Sequence, residues 1–337
     1  MKGVVQMDFH QLPKVELHLH LDCSLSYSVV SHLDPAISRT EYLQSFVTPA
    51  GCPDLADILS YAAREIELMQ TEKALRLVTL DLFEQLQQEN VLYAEIRFAP
   101  LLHTQKGLSA EDVVSVVDAA VQTASQQTGI EARVLLCTLR SYSETKSLET
   151  VQLVERFQGT SVVGFDLCGD EVNFPLDAHI AAFQYARAHD IPCTAHAGEA
   201  CGPESVWETL QHLAPLRLGH GYQSIQDPAL LEHLRQRQIH LEVCPTSNVH
   251  VFHQAIETFG DHPIDTLYGL GISLGVNSDS RTLIPATLNQ EYEKLHQSFG
   301  WEKEQFLQCN LNALRAAFVP EPVKQQLIDR LVEAYRI

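Results

Sequence analysis

The sequence alternates short apolar runs with longer stretches whose apolar residues recur at helical spacing. The apolar runs predict eight strands, at residues 14–22, 91–98, 132–139, 162–168, 192–197, 217–220, 240–244 and 272–276. Most of them lack polar alternation, which is typical of parallel strands covered on both faces. Helices are predicted between them, at residues 54–69, 72–89, 109–127, 148–157, 178–189, 204–213, 227–236 and 263–268. This alternation predicts an α/β fold, a single (β/α)8 TIM barrel with additional helices.

Two segments fall outside the alternation. Residues 23–53 are irregular and contain four breakers, Pro35, Pro49, Gly51 and Pro53. We expect a long connection there, with some helix lying over the site. Residues 289–335 are helical in pattern and should pack on the outside of the barrel. Because we find no repeat, low-complexity segment or linker, we predict one domain over residues 1–337.

Composition and charge exclude several classes of partner. Hydrophobic residues make up 45% of the chain, which is enough for a sizeable core. The net charge of −20 is spread along the sequence and would repel phosphate backbones and anionic lipids, so we expect no nucleic-acid or membrane partner. The eight cysteines show no Cys-x-x-Cys spacing and are expected to be reduced. With no leader-like or membrane-length apolar run, we expect a cytoplasmic protein.

The first strand carries a metal-binding pattern. His18, His20 and Asp22 occupy alternate positions, so their side chains should project from the same face. A His-x-His pair on an ordinary strand is the plain alternative. Here, however, the opposite face of the strand is apolar and the polar groups gather at its end, where a barrel enzyme keeps its site.

Further polar residues follow the later strands, at the end of the barrel where catalytic groups lie. They are Asp166, Gly169 and Asp170 in strand four and just after it, His196 and Glu199 around the end of strand five, His220 at strand six, and Asn277, Ser278 and Asp279 after strand eight. Three imidazoles and one carboxylate suit a zinc ion with a position left open for water. Asp279 is the favoured anionic ligand, because it is the only carboxylate at the end of strand eight.

Two of these residues are candidates for proton transfer. Glu199 follows the strand-five histidine after a glycine, and a carboxylate beside an attacking water is a natural proton carrier. A structural role in a helix cap is the alternative for Glu199. His220 lies between Gly219 and Gly221, which leaves room for a bulky group beside it. It is either a further metal ligand or a base near the water.

Five motifs in this order resemble those of adenosine deaminases. They are VELHLHLD at 15–22, DLCGDE at 166–171, TAHAGE at 194–199, LGHGY at 218–222 and VNSD at 276–279. The spacing between the motifs and the helical tail are also similar to that family, so the resemblance spans essentially the whole chain.

The resemblance implies a mononuclear zinc enzyme that hydrolyses adenosine and 2′-deoxyadenosine to the inosine product and ammonia. The implied ligands of one zinc ion per chain are His18, His20, His196 and Asp279. Glu199 would protonate N1 of the purine, and His220 would orient and deprotonate the attacking water. The implied contacts with this small-molecule purine nucleoside are His20, Asp22 at a ribose hydroxyl, Gly169 at N3 through its backbone, and Ser280 at N7.

The sequence departs from the family pattern at two positions. Ser280 stands where a second aspartate commonly follows Asp279, and its hydroxyl can donate to N7 without first being protonated. Cys23 replaces the glycine usual after Asp22, which would narrow the ribose end of the pocket. The alternative function is therefore a related aminopurine deaminase that acts on adenine, a modified adenosine or an aminofutalosine-type nucleoside.

Two other classes of protein fit the sequence less well. A dinuclear amidohydrolase would bridge two metals with a modified lysine on strand four, but residues 162–169 contain no lysine. A catalytically inactive barrel with a binding role would have no chemical need for Glu199 beside a complete ligand set. Both comparisons favour a mononuclear enzyme.

Overall fold

A computed structural model describes residues 8–49, 52, 54–251 and 256–336. Two predicted breakers, Gly51 and Pro53, lie outside these residues, as does most of the N-terminal segment in which no leader was expected. The prediction of one domain over residues 1–337 stays a prediction.

Eight parallel strands form two four-stranded sheets, ordered β1-β2-β3-β4 and β5-β6-β7-β8. The strands are β1 Lys14–His20, β2 Val91–Phe98, β3 Glu131–Leu139, β4 Val162–Cys168, β5 Thr194–Ala197, β6 Arg217–His220, β7 His240–Val243 and β8 Leu274–Val276. Leu19 pairs with Asp279, and Phe165 pairs with Cys193, both in parallel register. These pairs join the sheets at both edges, so the strands follow one another in ring order and the predicted α/β barrel is confirmed.

Helices fill the connections and cover the outside of the strands. They are α1 Tyr27–Leu33, α2 Arg39–Ser45, α3 Leu55–Leu68, α4 Glu72–Gln88, α5 Ala110–Thr128, α6 Glu144–Arg156, α7 Ile180–Ala188, α8 Pro203–His212, α9 Pro228–Arg237, α10 Pro245–Val251, α11 Ile264–Gly269, α12 Leu288–Phe299, α13 Lys303–Ala316 and α14 Glu321–Tyr335. No helix in the described part of the chain has the length and apolar character needed to cross a membrane.

Some helix bounds differ from the predicted ones, for local reasons. The helix expected from residue 148 begins at Glu144, because the Ser143 hydroxyl accepts a hydrogen bond from the backbone N–H of Lys146 and caps the helix there. The helical tail is three helices, the first of which ends at the left-handed Gly300. The short α10 was not predicted, since it is only seven residues long.

Charged side chains fill the inside of the barrel, whereas apolar side chains join the strands to the surrounding helices. Arg97 on β2 donates to Asp166 on β4 at 3.0 Å and to Glu242 on β7 at 2.7 Å. Arg217 on β6 binds Glu242 at 2.8 Å and Glu95 on β2 at 2.5 Å. Arg217 and Glu242 lie on neighbouring strands, but the other three contacts join strands that are not neighbours and therefore run across the interior. This fully buried ionic cluster lies below the polar strand ends and supports them.

Candidate metal and active site

Four candidate metal ligands converge at the carboxyl ends of β1, β5 and β8. The Nε2 atoms of His20 and His196 are 3.2 Å apart. Oδ1 of Asp279 lies 3.4 Å from Nε2 of His18 and 3.6 Å from Nε2 of His20. Ligand atoms that surround a tetrahedral ion at about 2.0–2.1 Å are roughly 3.3 Å apart. The side chains therefore already have the spacing of a mononuclear site.

Buried carboxylates orient two of these imidazoles. Nδ1 of His18 faces Glu242 at 2.9 Å, and Nδ1 of His196 faces Asp166 at 3.3 Å. A carboxylate accepts a hydrogen from Nδ1, which leaves the lone pair on Nε2 for a metal. Nε2 of His18 is fully buried and has no hydrogen-bond partner among the described residues. An unpartnered buried nitrogen within this donor set fits a divalent cation.

The charge states of the ligands also fit a cation. Burial, opposed by Asp279, lowers the pKa of His20 to about 3, so this imidazole is neutral at pH 7. Burial and Arg97 act to lower the pKa of His18, but Asp279 and Glu242 outweigh them and raise it. Burial alone would raise the pKa of the Asp279 carboxyl, but the neighbouring histidines hold it well below its usual range. Asp279 is thus a carboxylate that draws positive charge to this point.

Glu199 and His220 lie beside the ligand set. Oε2 of Glu199 is 3.6 Å from Nε2 of His220. Burial, with the charges of Asp279 and Glu171, raises the pKa of Glu199 well above its usual value. Burial, with the neighbouring His18, lowers the pKa of His220 well below its usual value. Both shifts favour the uncharged forms, a protonated carboxyl on Glu199 and a neutral imidazole on His220.

The loop that carries Glu199 is held by the Glu171 carboxylate. Oε2 of Glu171 accepts hydrogen bonds from the backbone amides of Glu199, Ala200 and Cys201, at 3.0, 2.9 and 3.1 Å. Oε1 accepts from the amide of Gly198 at 2.6 Å and from the Ser205 hydroxyl at 2.5 Å. Consecutive N–H groups around one anion form a rigid nest. The Glu171 carboxylate therefore fixes the backbone segment from which the Glu199 side chain projects.

Backbone conformation at the site is unusual where chemistry is expected. His220 and Asp279 both lie in the left-handed region, with φ of +58° and +66°. This conformation is energetically unfavourable for residues other than glycine, which adopt it only where the surrounding structure enforces it. A Cβ at Gly219 would approach His18 Cε1 to 2.9 Å and His196 Nδ1 to 3.1 Å. The glycine before His220 thus makes room for two imidazoles.

A cavity of about 320 Å³ opens onto these groups and has the size of a small-ligand pocket. The expected substrate contacts His20, Asp22, Gly169 and Ser280 all line it. Cys23 also lines it. An apolar part of the wall is formed by α3 and the segment after Ser280, with Leu55, Ile58, Leu59, Ala62, Leu283 and Ile284. The segment after β1 does contain helix, α1 and α2, but α3 supplies most of this wall.

Two of the lining residues, Asp22 and Ser280, have informative surroundings. Oδ2 of Asp22 accepts a hydrogen bond from the backbone N–H of Ala99 at 3.0 Å, which fixes its carboxylate at the cavity wall. Ser280 follows the candidate ligand Asp279 and is 8% exposed. Its neighbour Arg281 points away, since its guanidinium binds Glu89 and Glu16. The serine, and not the arginine, therefore faces the substrate side.

Comparison with known proteins agrees with this geometry. The family described as adenosine deaminase matches residues 13–334. An adenosine deaminase of Lacticaseibacillus casei is 36% identical, over 98% of this chain and 99% of that protein. The chain belongs to the adenosine deaminase family. The resemblance seen in the five motifs is thus confirmed, as is the expectation of a hydrolytic deaminase.

Solved structures of this family have the same fold. An adenine deaminase of Arthrobacter aurescens superposes with a TM-score of 0.88 at 25% identity, covering 97% of this chain and 100% of that one. An N6-methyl-AMP deaminase of Arabidopsis thaliana superposes with a TM-score of 0.85 at 25% identity, covering 97% and 98%. Proteins that share this barrel are thus named for different substrates. The substrate of this chain must therefore be argued from its own pocket.

The sequence reasoning missed several residues that support the site. Glu242, Arg97 and Glu171 were given no role, although Glu171 ends one of the five motifs. The signal was present: a charged residue within an apolar barrel strand must find a buried partner. Asn248, which bonds to His220, and His262, which bonds to Asn248, lay in segments without any motif.

Proposed function

We propose that this protein hydrolyses adenosine and 2′-deoxyadenosine to inosine or deoxyinosine and ammonia, with one zinc ion per chain. One observation carries the proposal: His20, His196, Asp279, Glu199 and His220 line one cavity, and Nε2 of His18 lies 3.4 Å from the Asp279 carboxylate. The family membership supports the same reaction.

His18, His20, His196 and Asp279 would hold the zinc ion. When bound, zinc supplies Lewis acidity that makes a water nucleophilic at neutral pH. The hydrogen bonds from His18 and His196 to Glu242 and Asp166 keep these imidazoles in the tautomer that can bind it. Replacing Glu242 or Asp166 should therefore weaken metal binding, although neither carboxylate would contact the ion.

Glu199 acts as the general acid at N1 of the purine. Its raised pKa keeps a proton available, and protonation of N1 makes C6 a better electrophile for water. His220, whose Nε2 lies 3.6 Å from the Glu199 carboxyl, orients the water. The water oxygen bonds to C6 and becomes the carbonyl oxygen as the bond from C6 to the amino nitrogen breaks. Of the two water protons, one restores the proton that Glu199 gave to N1 and the other completes the leaving ammonia. Both residues lie in a buried site, where their hydrogen bonds are strong.

The remaining contacts select a nucleoside. Asp22 would accept a hydrogen bond from a ribose hydroxyl, the backbone of Gly169 would meet N3, and Ser280 would donate to N7. Cys23, beside Asp22 in the wall, narrows the ribose end of the pocket. The apolar part of the wall covers the rest of the ligand.

The pocket disfavours a phosphorylated substrate. The cavity wall formed by the described residues includes Asp22, Asp170, Glu199 and Asp279, and no lysine or arginine. A phosphate needs cationic or N–H partners, and the carboxylates of Asp22, Asp170 and Asp279 would repel it. The site therefore suits an uncharged nucleoside better than a nucleotide. A cytoplasmic location is consistent with eight free thiols.

A substrate panel tests the proposal. Zinc-loaded protein is incubated with adenosine, 2′-deoxyadenosine, adenine, AMP and N6-methyl-AMP, while ammonia and the ultraviolet change are followed. We expect the highest kcat/KM for the two nucleosides. Preference for adenine would mean that Asp22 does not bind ribose, and preference for a nucleotide would refute the charge argument. The Glu199→Gln protein is the matched background control.

A further inference from the structure

His220 is held by a chain of buried hydrogen bonds that leads away from the cavity. Nδ1 of His220 lies 2.9 Å from the side-chain nitrogen of Asn248 on α10. The side-chain oxygen of Asn248 lies 3.2 Å from Nε2 of His262. The backbone N–H of Ile264 donates to Nδ1 of His262 at 3.1 Å. All three side chains are at most 2% exposed.

The direction of every bond in this chain follows from its far end. A backbone N–H can only donate, so Nδ1 of His262 accepts. Burial lowers the pKa of His262 to about 3, so the ring is neutral and its single hydrogen is on Nε2. That hydrogen is donated to the oxygen of Asn248, which turns the amide NH2 toward His220. Nδ1 of His220 must then accept.

We propose that Asn248, oriented by His262, is a positioning residue that holds His220 in the tautomer with its hydrogen on Nε2. The proposal rests on the proposed deaminase function and deepens it. Nε2 is the atom that faces Glu199. In this tautomer His220 orients the attacking water by donating a hydrogen bond to it. The resemblance implied a second task, removal of the water proton. With Nδ1 accepting from Asn248 and a hydrogen on Nε2, His220 presents no lone pair to the water, so the proton passes to Glu199 after Glu199 has given its own proton to N1.

The substitution Asn248→Asp reverses the last bond with almost no change in shape. A carboxylate only accepts, so it still takes the His262 hydrogen but now requires a hydrogen on Nδ1 of His220.

A matched control exists elsewhere in the chain. The side-chain nitrogen of Asn289 lies 2.8 Å from Nδ1 of His10, outside the cavity wall, so Asn289→Asp makes the same chemical change away from the site.

The tautomer is read directly from two-bond nitrogen–proton spectra of protein labelled with 15N-histidine, metal-free and zinc-loaded. The His220→Gln protein assigns the signal. We expect hydrogen on Nε2 of His220 in the parent and in Asn289→Asp, and hydrogen on Nδ1 in Asn248→Asp. His262→Phe should give a mixture, because the amide is then free to turn. Hydrogen on Nδ1 in the parent would overturn the proposal.

Kinetics give the second readout. For Asn248→Asp we expect kcat for adenosine to fall by about 100-fold, at the lower end of what a positioned proton-handling group contributes, with KM little changed. Zinc content and melting temperature should match those of Asn289→Asp. An unchanged tautomer together with parental kcat would refute the positioning role. If the Asn248→Asp protein does not fold, the tautomer of His220 in the parent and in the His262→Phe protein decides whether the proposal holds. A parent that binds zinc but releases no ammonia would refute the proposed function, while the tautomer measurement would still stand.

Discussion

Replacing Glu171 with glutamine should disable the loop that carries Glu199 while leaving the barrel folded. Oε2 of Glu171, which serves three amides, can be replaced by the glutamine oxygen. The glutamine NH2 then stands in place of Oε1. It can still donate to the Ser205 hydroxyl, but it opposes the N–H of Gly198. The structure therefore predicts one buried amide without a partner.

The size of the effect follows from that single amide. A buried donor left without a partner costs about 1–3 kcal/mol. Since about 1.4 kcal/mol corresponds to tenfold, the correctly formed loop becomes roughly 5- to 150-fold less populated relative to a displaced one. We expect kcat/KM for adenosine to fall within that range. The three hydrogen bonds at Oε2 are also weakened, because they are made to a neutral amide oxygen and no longer to a carboxylate. We therefore expect a decrease of kcat/KM in the upper half of that range.

The pH profile should move as well. Burial is the largest cause of the raised pKa of Glu199, followed by the charges of Asp279 and then Glu171. Only protonated Glu199 can donate to N1, so activity is lost as pH rises through its pKa. A neutral residue at position 171 removes one of the causes and lowers that pKa. The alkaline limb of kcat/KM should therefore shift to lower pH.

The assay is kcat/KM for adenosine across pH, with zinc content measured on each sample. Glu208→Gln is the matched control, because it removes the same charge from an exposed position on α8, outside the Glu171 hydrogen bonds. The control should behave as the parent. If Glu171→Gln stays within twofold of the parent and keeps its alkaline limb, the carboxylate does not position Glu199.

Three further predictions concern the site itself. Glu199→Gln should keep the metal and the fold but lose about 100- to 10,000-fold in kcat, and activity within a few-fold of the parent would contradict its role as the acid. Metal analysis should find one zinc per chain, so a stoichiometry near two, or none in active protein, would contradict a mononuclear site. If Ser280 reads N7, 7-deazaadenosine should be the poorer substrate by about 0.5–1.5 kcal/mol, and Ser280→Ala should narrow that gap. Equal ratios of kcat/KM in both proteins would mean that Ser280 makes no such contact.

The barrel was predictable because its signals are local. Each strand is a short apolar run, and the ends of the strands bring the five motifs to the same side by topology alone. Boundaries were less predictable: apolar spacing gave 148 as the start of α6, whereas the cap at Ser143 starts it at Glu144. Caps depend on one hydrogen bond, which periodicity does not reveal.

The supporting residues were harder to foresee, because their roles depend on contacts distant in sequence. His18 and Glu242 are far apart in the chain, and only the barrel brings them to 2.9 Å. Asn248 lies on a helix too short to show a periodic pattern. A charged residue in a buried strand indicates that a partner exists, but not which one. The ligand set and the substrate contacts stay predictions until metal and substrate are measured.

The pairing of Leu19 with Asp279 has a consequence for how the enzyme matures. His18 and His20 leave the ribosome long before Asp279, so a nascent chain lacks the complete set of candidate ligands until Asp279 has been made. The candidate ligands also come from both sheets, with β1 in one and β5 and β8 in the other. A bound ion would act as a clip across the two halves, and chelation should loosen the seam between β1 and β8 first. Completion of the candidate ligand set and closure of the barrel between β1 and β8 thus depend on the same segment, the residues that follow β8.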